Sequence, residues 1–305
     1  MEVQAYKLDF QTVHFGNGSL NESIGSFNAS RLYSSLFLES LKLNVDKEFL
    51  NLSKSANFFL SDSFPLKDGE FYLPKPIGYP KIPLNSESTR ETRRKAKKSK
   101  KLRYIKYTDM EDYIEGNCDV DKLDGTDSFF SKSTVVTKKG IDPYEVGITN
   151  FKTSLYILTI KHKLLDMLMD SLQYSGIGGK RSSGYGRFTV EKLDIPDEFS
   201  KNIVVNDSEY GVYMTLSTSI PNNDELDAVL PTAEYLLEKS SGFAYSSTSR
   251  NLLKKQDLYK FAVGTTLTKT YNGNIFDVRP DDFPHPVWNY AKGLFYKLPY
   301  LDRGR

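Results

Sequence analysis

Two segments of the sequence, residues 29–44 and 161–174, carry apolar side chains at the spacing of one helical face. Each follows a segment typical of a strand, at 3–10 and 155–160, and another such segment follows at 188–193. A helix with one apolar stripe must bury that stripe against another element. Both helices are therefore predicted to pack on one face of an antiparallel sheet. The stripes consist of Leu32, Leu36, Phe37 and Leu41, then of Leu164, Leu165, Leu168, Met169 and Leu172.

The sequence predicts an α+β protein built from two ferredoxin-like (RRM-type) domains. With residues 84–145 set aside as an insertion, the first part has the order strand–helix–strand–strand–helix–strand, which is the order of that fold. The pattern restarts after Pro196, so the predicted domains are 1–195, with the insertion at about 84–145, and 196–305. Further strands are predicted at 58–60, 71–73, 210–218, 259–268 and 293–298, and a further helix within 222–239.

Charge in this chain is balanced overall but unevenly placed. The 41 Lys and Arg against 39 Asp and Glu give a net charge of +2, which by itself does not indicate a nucleic-acid-binding protein. Residues 90–106 are nevertheless rich in Lys and Arg, and an Asp-rich stretch follows at 109–127, interpreted as a solvated or partner-facing surface. The basic run is either a solvated face or a contact for phosphates. Neutralising about six phosphates of a single strand would give a salt slope of roughly −4.

The scarcity of cysteine and histidine excludes several classes of site. The single cysteine, Cys118, excludes an intramolecular disulfide framework and a Cys-rich zinc site, and three scattered histidines leave little for a His-based metal centre. No cofactor or metal is therefore expected. The chain has no apolar run of 18 or more residues, and its first ten residues lack the features of a signal peptide. We expect a cytoplasmic protein with no membrane partner.

A glycine-rich segment, GIGGKRSSGYGRF at 176–188, is the most specific local signal in the chain. Its glycines allow the backbone to approach a ligand closely and to present consecutive N–H groups, and Lys180 and Arg181 add positive charge. The segment is not a P-loop, because Tyr174 stands where the first glycine belongs, and Arg181 also breaks the dinucleotide fingerprint. It is predicted to hold a phosphate backbone. The alternative is a tight turn between a helix and a strand.

His14 lies in a glycine-flanked turn after the first strand and has three possible roles. It could be a general acid or base in RNA cleavage with the 2′-hydroxyl as nucleophile, a contact for a base, or a structural residue bonded to the turn. His162 and His285 are interpreted as structural. The segment 240–260 interleaves aromatic, small polar and cationic residues, which suits stacked bases and phosphates as well as an ordinary loop.

Several segments together resemble one protein family. They resemble the fourth subunit of the Csm complex, the type III-A CRISPR effector, within the RAMP superfamily. The resemblance covers nearly the whole chain except the acidic part of the insertion, whereas the glycine-rich loop alone marks only the superfamily. The segments are HFG at 14–16, RLYSSLFLESL at 31–41, LSDSFP at 60–65, FYLPKPIGYPK at 71–81, YSGIGGKRSSGYGRF at 174–188, KSSGFAY at 239–245, KQDLYKFAVGT at 255–265 and DVRPDDFPHPVWNYAKGLFYKL at 277–298.

The resemblance implies a non-catalytic RNA-binding subunit that caps one end of the effector and grips the repeat-derived 5′ tag of the mature CRISPR RNA. It also implies contacts with the large polymerase/cyclase-type subunit and with the backbone subunit, and a β-hairpin thumb, which we place in the insertion. The residues expected to contact the tag are His14, Gly16, Arg31, Gly178, Gly179, Lys180, Arg181, Ser182, Ser183 and Tyr185 in the first domain, and Tyr245, Arg250 and Lys254 in the second.

Two other functions stay open from the sequence. One is a metal-independent endoribonuclease of the RAMP type that uses His14, which specific cleavage of repeat-containing RNA in EDTA would reveal if His14→Ala abolished it. The other is a protein scaffold whose basic patches bind acidic partner surfaces. RNA retention unaffected by Lys180→Ala and Arg181→Ala would indicate the scaffold.

Overall fold

The computed structural model describes residues 2–80, 90–138, 142–207, 209–244, 246 and 253–299, without the side chains at 91 and 92. Its helices are α1 Ala29–Lys42, α2 Asp46–Lys54, α3 Arg90–Lys101, α4 Met110–Glu115, α5 Lys163–Ser175, α6 Asp197–Ser200 and α7 Leu226–Val229. Its strands are β1 Val3–Phe10, β2 Thr12–Val13, β3 Phe64–Lys67, β4 Glu70–Pro74, β5 Tyr104–Lys106, β6 Phe130–Lys138, β7 Pro143–Phe151, β8 Ser154–Ile160, β9 Phe188–Leu193, β10 Ile203–Val204, β11 Val212–Thr215, β12 Leu237–Ser240, β13 Phe243–Ala244, β14 Leu253–Lys254, β15 Leu258–Phe261, β16 Thr266–Leu267, β17 Gly273–Asp277, β18 Trp288–Lys292 and β19 Phe295–Leu298.

An antiparallel sheet organises the first part of the chain, with its strands in the order β5-β4-β3-β8-β1-β9. Its strands β1, β3, β8 and β9 alternate with α1 and α5 in the predicted order along the chain. The first helix begins after Asn28, whose side chain accepts from the backbone N of Arg31 at 3.0 Å. The second begins after His162, whose Nδ1 accepts from the N of Leu164, and ends before Gly176. Both predicted helices are therefore confirmed.

The two faces of this sheet are buried in different cores. Alternation along β1 directs Tyr6 and Leu8 to the face that α1 and α5 cover. Ala5 points to the opposite face, where it meets apolar side chains of β11 and β19 such as Met214 and Tyr296. This second core contains residues from both halves of the chain, so the two halves are stabilised by common apolar burial.

The described part of the segment predicted as an insertion, 84–145, together with the strand that continues from it, pairs with strands of the first part of the chain at two places. β5 extends the sheet edge by pairing with β4, and Tyr113 of α4 is buried in the shared core. A long antiparallel hairpin, β6–β7, follows and continues past residue 145 to Phe151. β7 also pairs with β2 through Val13 and Thr149. The hairpin lies where the thumb was placed, and it is anchored directly beside the first strand.

The Asp-rich stretch at 109–127 pairs in part with basic residues of this chain. Asp121 accepts from both terminal nitrogens of Arg94, at 3.0 and 2.5 Å, and from Nζ of Lys98 at 3.1 Å. Asp124 accepts from Nζ of Lys67 at 2.6 Å. The stretch is therefore a surface on which these two carboxylates pair with cations of the same chain, and its contact with a partner stays a prediction.

The C-terminal half contains less helix than predicted. Its largest sheet has the order β10-β19-β11-β16, and β12–β15, β13–β14 and β17–β18 form separate pairs. The helix predicted within 222–239 is wrong except at α7, since Pro231 lies in a short 3₁₀ turn and residues 237–240 form strand β12. Among the described residues after 195, the helices are α6 and α7, of four residues each. A second ferredoxin-like domain stays a prediction.

Buried polar groups tie the two halves together. Asp62 accepts from the N of Ala29 at 2.8 Å and from the N and Oγ1 of Thr218 at 2.9 and 2.6 Å. Lys260 donates to Oγ of Ser30 and to the carbonyl of Tyr290. Burial raises the pKa of Asp62 to about 6 and lowers the pKa of Lys260 to about 8. The start of α1 is thus fixed by hydrogen bonds to the C-terminal half.

Candidate nucleic-acid interface

Six of the residues expected to contact RNA line one open groove of about 630 Å³. The turn after β2 supplies two of them, α1 supplies one from its first turn, and the glycine-rich loop supplies three. The groove therefore brings together segments that are far apart in the sequence. The six residues are His14, Gly16, Arg31, Gly178, Gly179 and Arg181, and the rest of the lining is Ser34, Ser35, Leu38 and Phe243.

The glycine-rich loop is bonded to the end of the first strand. The N of Gly179 donates to the carbonyl of His14 at 2.9 Å, and the N of Gly186 donates to the carbonyl of Thr12 at 3.1 Å. A Cβ on Gly178 would lie 2.8 Å from the His14 carbonyl, and one on Gly179 would lie 2.7 Å from Cδ2 of the His14 ring. The glycines are therefore required for close packing. The prediction that the loop presents a row of free N–H groups is wrong for Gly179 and Gly186, because these groups bond within the protein.

His14 uses one ring nitrogen for the fold and leaves the other toward the groove. Its Nδ1 lies 2.7 Å from the carbonyl of Gly147 on β7, and a carbonyl can only accept, so Nδ1 carries the proton. In the neutral ring Nε2 then has a free lone pair, and no described residue bonds to it. The ring lines the groove beside Gly16 and Gly179. The fold thus provides an oriented hydrogen-bond acceptor in the groove wall.

Arg31 is a half-buried cation that the protein satisfies incompletely. Its Nη2 donates to the carbonyl of Gly16 at 2.8 Å, and its guanidinium lies 5.7 Å from the ring centroid of Phe15. Its Nη1 is buried and has no hydrogen-bond partner in the described part of the chain. Burial lowers the pKa of Arg31, because charge is costly away from water. A buried, unpaired guanidinium nitrogen at a groove is a ready site for an anion.

Two exposed apolar side chains that the sequence analysis did not select also line the groove, and one of them comes from the C-terminal half. Phe243 of β13 lines it and is 68% exposed, and Leu38 of α1 is 46% exposed. The backbone N of Lys255 donates to the carbonyl of Gly242, next to Phe243. Burial together with the charge of Arg31 lowers the pKa of the Lys255 side chain. Phe243 lies in the segment 240–260, whose composition suits stacked bases, but only the fold shows that its ring reaches the groove.

The rest of the expected loop residues lie outside the groove lining. Lys180 adopts φ 57° and donates to the hydroxyl of Tyr144 at 3.1 Å, with its Nζ 4.5 Å from that ring's centroid. Ser182 and Ser183 are exposed on a single 3₁₀ turn, and Tyr185 is half-buried. Lys180 therefore joins the loop to the β6–β7 hairpin.

Of the three residues expected from the second half of the chain to contact RNA, the structure describes Lys254. Lys254 is exposed and pairs with Asp257 at 3.2 Å, and it is not part of the groove lining. Tyr245 and Arg250 lie outside the described residues. The structure thus brings Phe243 to the groove, rather than Lys254.

Within the described ranges, His, Cys, Asp and Glu form no group of three or more that could hold a metal ion. Across those same residues, no helix has the length and apolar character needed to span a membrane. Burial and the nearby carboxylates of Asp109 and Asp112 raise the pKa of Cys118 to about 11, which disfavours a reactive thiolate there.

Family models and curated relatives match most of the chain. A model of the RAMP superfamily matches residues 36–189, and a model described as the CRISPR Csm4 C-terminal domain matches residues 208–298. A protein of Streptococcus thermophilus named "CRISPR system Cms protein Csm4" is 44% identical over 302 residues, covering 98% of this chain and 99% of that protein. The chain belongs to the Csm4 family of the RAMP superfamily. A Csm4 of Mycobacterium tuberculosis (strain ATCC 25618 / H37Rv) is 31% identical over 313 residues, covering 98% of this chain and 99% of its own.

Solved structures of Csm4 proteins share the fold of this Csm4-family chain. One comes from a crystal structure of a Csm3–Csm4 subcomplex in the type III-A CRISPR-Cas interference complex, with TM-score 0.64 and 15% identity over 97% of this chain and 100% of that chain. Another comes from a Csm1–Csm4 cassette in complex with pppApA, with TM-score 0.59 and 12% identity over 98% and 99% of the two chains. The likeness extends over nearly the whole chain, so the arrangement of both halves belongs to the family.

Proposed function

We propose that this Csm4-family protein grips the 5′ tag of the mature guide RNA in a type III-A CRISPR effector and does not cut it. The observation that carries the proposal is the buried, unpaired Nη1 of Arg31, placed in a groove between the glycine-rich loop and Phe243. Single-stranded RNA is bound through phosphates, 2′-hydroxyls and stacked bases, and the groove offers a group for each.

Each class of contact has a candidate residue. Arg31 and Arg181 would bind phosphate oxygens, and the planar fork of Arg31 suits a bidentate contact. The lone pair on Nε2 of His14 would accept from a ribose 2′-hydroxyl, a group that DNA lacks. Phe243, exposed at the rim, would stack on a base. This set favours RNA over DNA without reading a long sequence.

The same groove argues for binding rather than cleavage. His14 could take the proton of a 2′-hydroxyl through Nε2, which is the specific feature that favours the endoribonuclease alternative. Cleavage also needs a second group to protonate the leaving oxygen. The described residues lining the groove offer only guanidinium groups and serine hydroxyls for that step. Arginine stays protonated in proteins, so a productive proton relay is lacking in that set.

The proposal extends to the fold and the partners. We assign the β1, β3, β8 and β9 unit with α1 and α5 to a ferredoxin-like domain, and we propose a reduced domain of the same type after residue 195. The named relatives crystallised with Csm3 and with Csm1 support contacts with the backbone subunit and with the large polymerase/cyclase-type subunit. Exposed apolar side chains such as Leu236 and Tyr259 suit a subunit that is covered on assembly.

The test is guide retention in the assembled effector. Arg31→Ala and Arg181→Ala should each lower the amount of guide RNA that co-purifies and weaken binding of a tag oligoribonucleotide. The matched control is Lys163→Ala, an exposed cation at the start of α5, which should change neither quantity. Unchanged guide retention in both arginine variants would contradict the proposal.

The nuclease alternative needs a separate measurement. Repeat-containing precursor RNA is incubated with the purified protein in EDTA, and the products are separated by length. We expect intact RNA with wild type and with His14→Ala. Specific fragments that disappear in His14→Ala would establish the endoribonuclease instead.

A further inference from the structure

Helix α3 concentrates positive charge on the side of the sheet opposite α1 and α5. Eight of its twelve residues are Lys or Arg, RETRRKAKKSKK. Its C-terminal end is fixed by Leu102, which is buried in the core on that side of the sheet. The groove lies instead with α1 and the end of β1, whose apolar residues belong to the other core. The helix is therefore a second charged feature, separate from the groove.

The inner side of α3 is held in place by specific contacts. Nζ of Lys75 donates to the carbonyl of Ser99 at 3.1 Å, and the Ser99 hydroxyl lies 3.3 Å from that of Tyr113. On an adjacent side, Asp121 binds Arg94 with two hydrogen bonds and Lys98 with one. These contacts fix the rotation of the helix about its axis. The helix is therefore attached to the protein along these two sides.

The outer side of α3 presents cations in a regular row. Lys97, Lys100 and Lys101 are exposed and stand three and four residues apart, so they share one face. Arg90 is exposed on the same face, seven residues or about two turns before Lys97, at about 1.5 Å of rise per residue. Like charges at these spacings destabilise a helix unless an anion screens them. A linear polyanion would neutralise the whole row at once.

We propose that this outer face of α3 binds the phosphates of single-stranded RNA without reading its sequence. An acidic protein surface is the less suitable occupant, because the cores of protein interfaces are depleted in lysine and rich in aromatic residues. The helix carries no aromatic residue, and Ala96 is its only apolar one. Because the helix has no aromatic residue, it cannot stack on bases, so its contact is limited to the phosphate backbone of the RNA. The proposal goes beyond the tag-binding groove and does not depend on it.

The test measures the salt dependence of RNA binding by the full-length protein. Fluorescein-labelled oligouridylate of 15 nucleotides is titrated by anisotropy between 50 and 200 mM salt. The protein carries Arg31→Ala and Arg181→Ala in every case, so that groove binding is weakened equally throughout. The test variant adds Lys97→Ala, Lys100→Ala and Lys101→Ala. The matched control adds Lys163→Ala, Lys201→Ala and Lys269→Ala, three exposed lysines on other elements.

Losing three phosphate contacts should lower the magnitude of the slope of log K against log salt by about 2, at roughly 0.7 per phosphate of a single strand. Binding of the parent should then fall about 16-fold more than binding of the test variant over the fourfold change in salt. The control should keep the parent slope. The deoxy oligonucleotide should behave like the RNA, since both share the backbone charge.

Two results would overturn the inference. One is the same slope and affinity for the test variant and the control. The other is unchanged RNA binding together with weaker assembly with the other effector subunits, which would assign the helix to an acidic protein surface. Neither result bears on guide retention by the groove, so the two proposals can fail separately.

Discussion

Replacing Arg31 by methionine should stabilise the RNA-free protein and weaken its binding to tag RNA. The two effects have opposite signs because, under the proposed function, the guanidinium completes its hydrogen bonds only when RNA is bound. Within the protein it has one hydrogen bond, to the carbonyl of Gly16, and a buried Nη1 without a partner. Methionine keeps an unbranched side chain against Phe15 and removes the charge.

The expected magnitudes follow from these contacts. Losing the hydrogen bond to Gly16 costs about 1 kcal/mol, while removing a buried unsatisfied donor gains about 1–3 kcal/mol. The net change in the free energy of unfolding is therefore between about 0 and +2 kcal/mol, or a rise of a few degrees in Tm. Removing a hydrogen bond between a charged group and phosphate costs about 1.5–3 kcal/mol, which weakens tag binding about 10- to 150-fold.

Urea unfolding of the RNA-free chain and anisotropy with a tag oligoribonucleotide measure the two effects. Arg31→Lys is the matched variant, since it keeps the charge and loses the planar fork, and it should recover only part of the affinity. The reasoning is refuted if Arg31→Met destabilises the RNA-free protein by more than about 1 kcal/mol while tag affinity stays at the wild-type value. That outcome would make Arg31 a structural residue.

Three further predictions follow from buried contacts. Asp62→Ala should lower the free energy of unfolding by about 3–5 kcal/mol in a urea titration, because it leaves the donors of Ala29 and Thr218 unpaired. Asp62→Asn keeps one carbonyl oxygen and should lower the free energy of unfolding by less. Gly179→Ala places a Cβ 2.7 Å from Cδ2 of His14 and should displace that ring and weaken tag binding, whereas Ser182→Ala in the same loop should bind like wild type. Burial lowers the pKa of Lys292 to about 8, so between pH 8 and 10.5 the unfolded chain holds this proton and the folded chain does not. The free energy of unfolding should therefore rise by up to about 3 kcal/mol over this pH range, and Lys292→Met should lack this increase.

The N-terminal elements could be predicted because their signals are local. α1 and α5 each combine one apolar stripe with a cap, Asn28 in one case and Gly176 in the other. The groove was also predictable in part, since His14 ends the first strand and the loop at 178–181 precedes its neighbour in the sheet. Pairing of β1 with β9 brings these two segments together. Sequence reasoning about order and pairing was sufficient there.

The predictions that were wrong or missing concern segments whose local structure is decided by long-range burial. Phe58, Phe59 and Leu60 are buried, yet only Leu60 forms an isolated bridge, and the paired strand is β3, which contains Pro65. The apolar run is buried because it passes between the two cores, with Phe59 in one and Phe58 in the other. An apolar run thus predicts burial without fixing conformation. α2 was missed, and its single buried apolar residue, Phe49, gives only a weak periodic signal.

Anion binding by this chain rests on side chains rather than on the glycine-rich backbone. The N–H groups of Gly179 and Gly186 are used to attach the loop to the strand, so they orient Arg181 and His14 and add no charge contact themselves. With two arginines in the groove and three exposed lysines on α3, about five phosphates would be neutralised, which gives a salt slope of roughly −3.5 for the intact chain. The groove would supply about −1.4 of this slope and the helix about −2. Under the two proposals, the groove would set which polymer binds, through the ribose acceptor and the stacking ring, while most of the salt-sensitive affinity would come from the outer face of α3, which cannot distinguish one sequence from another.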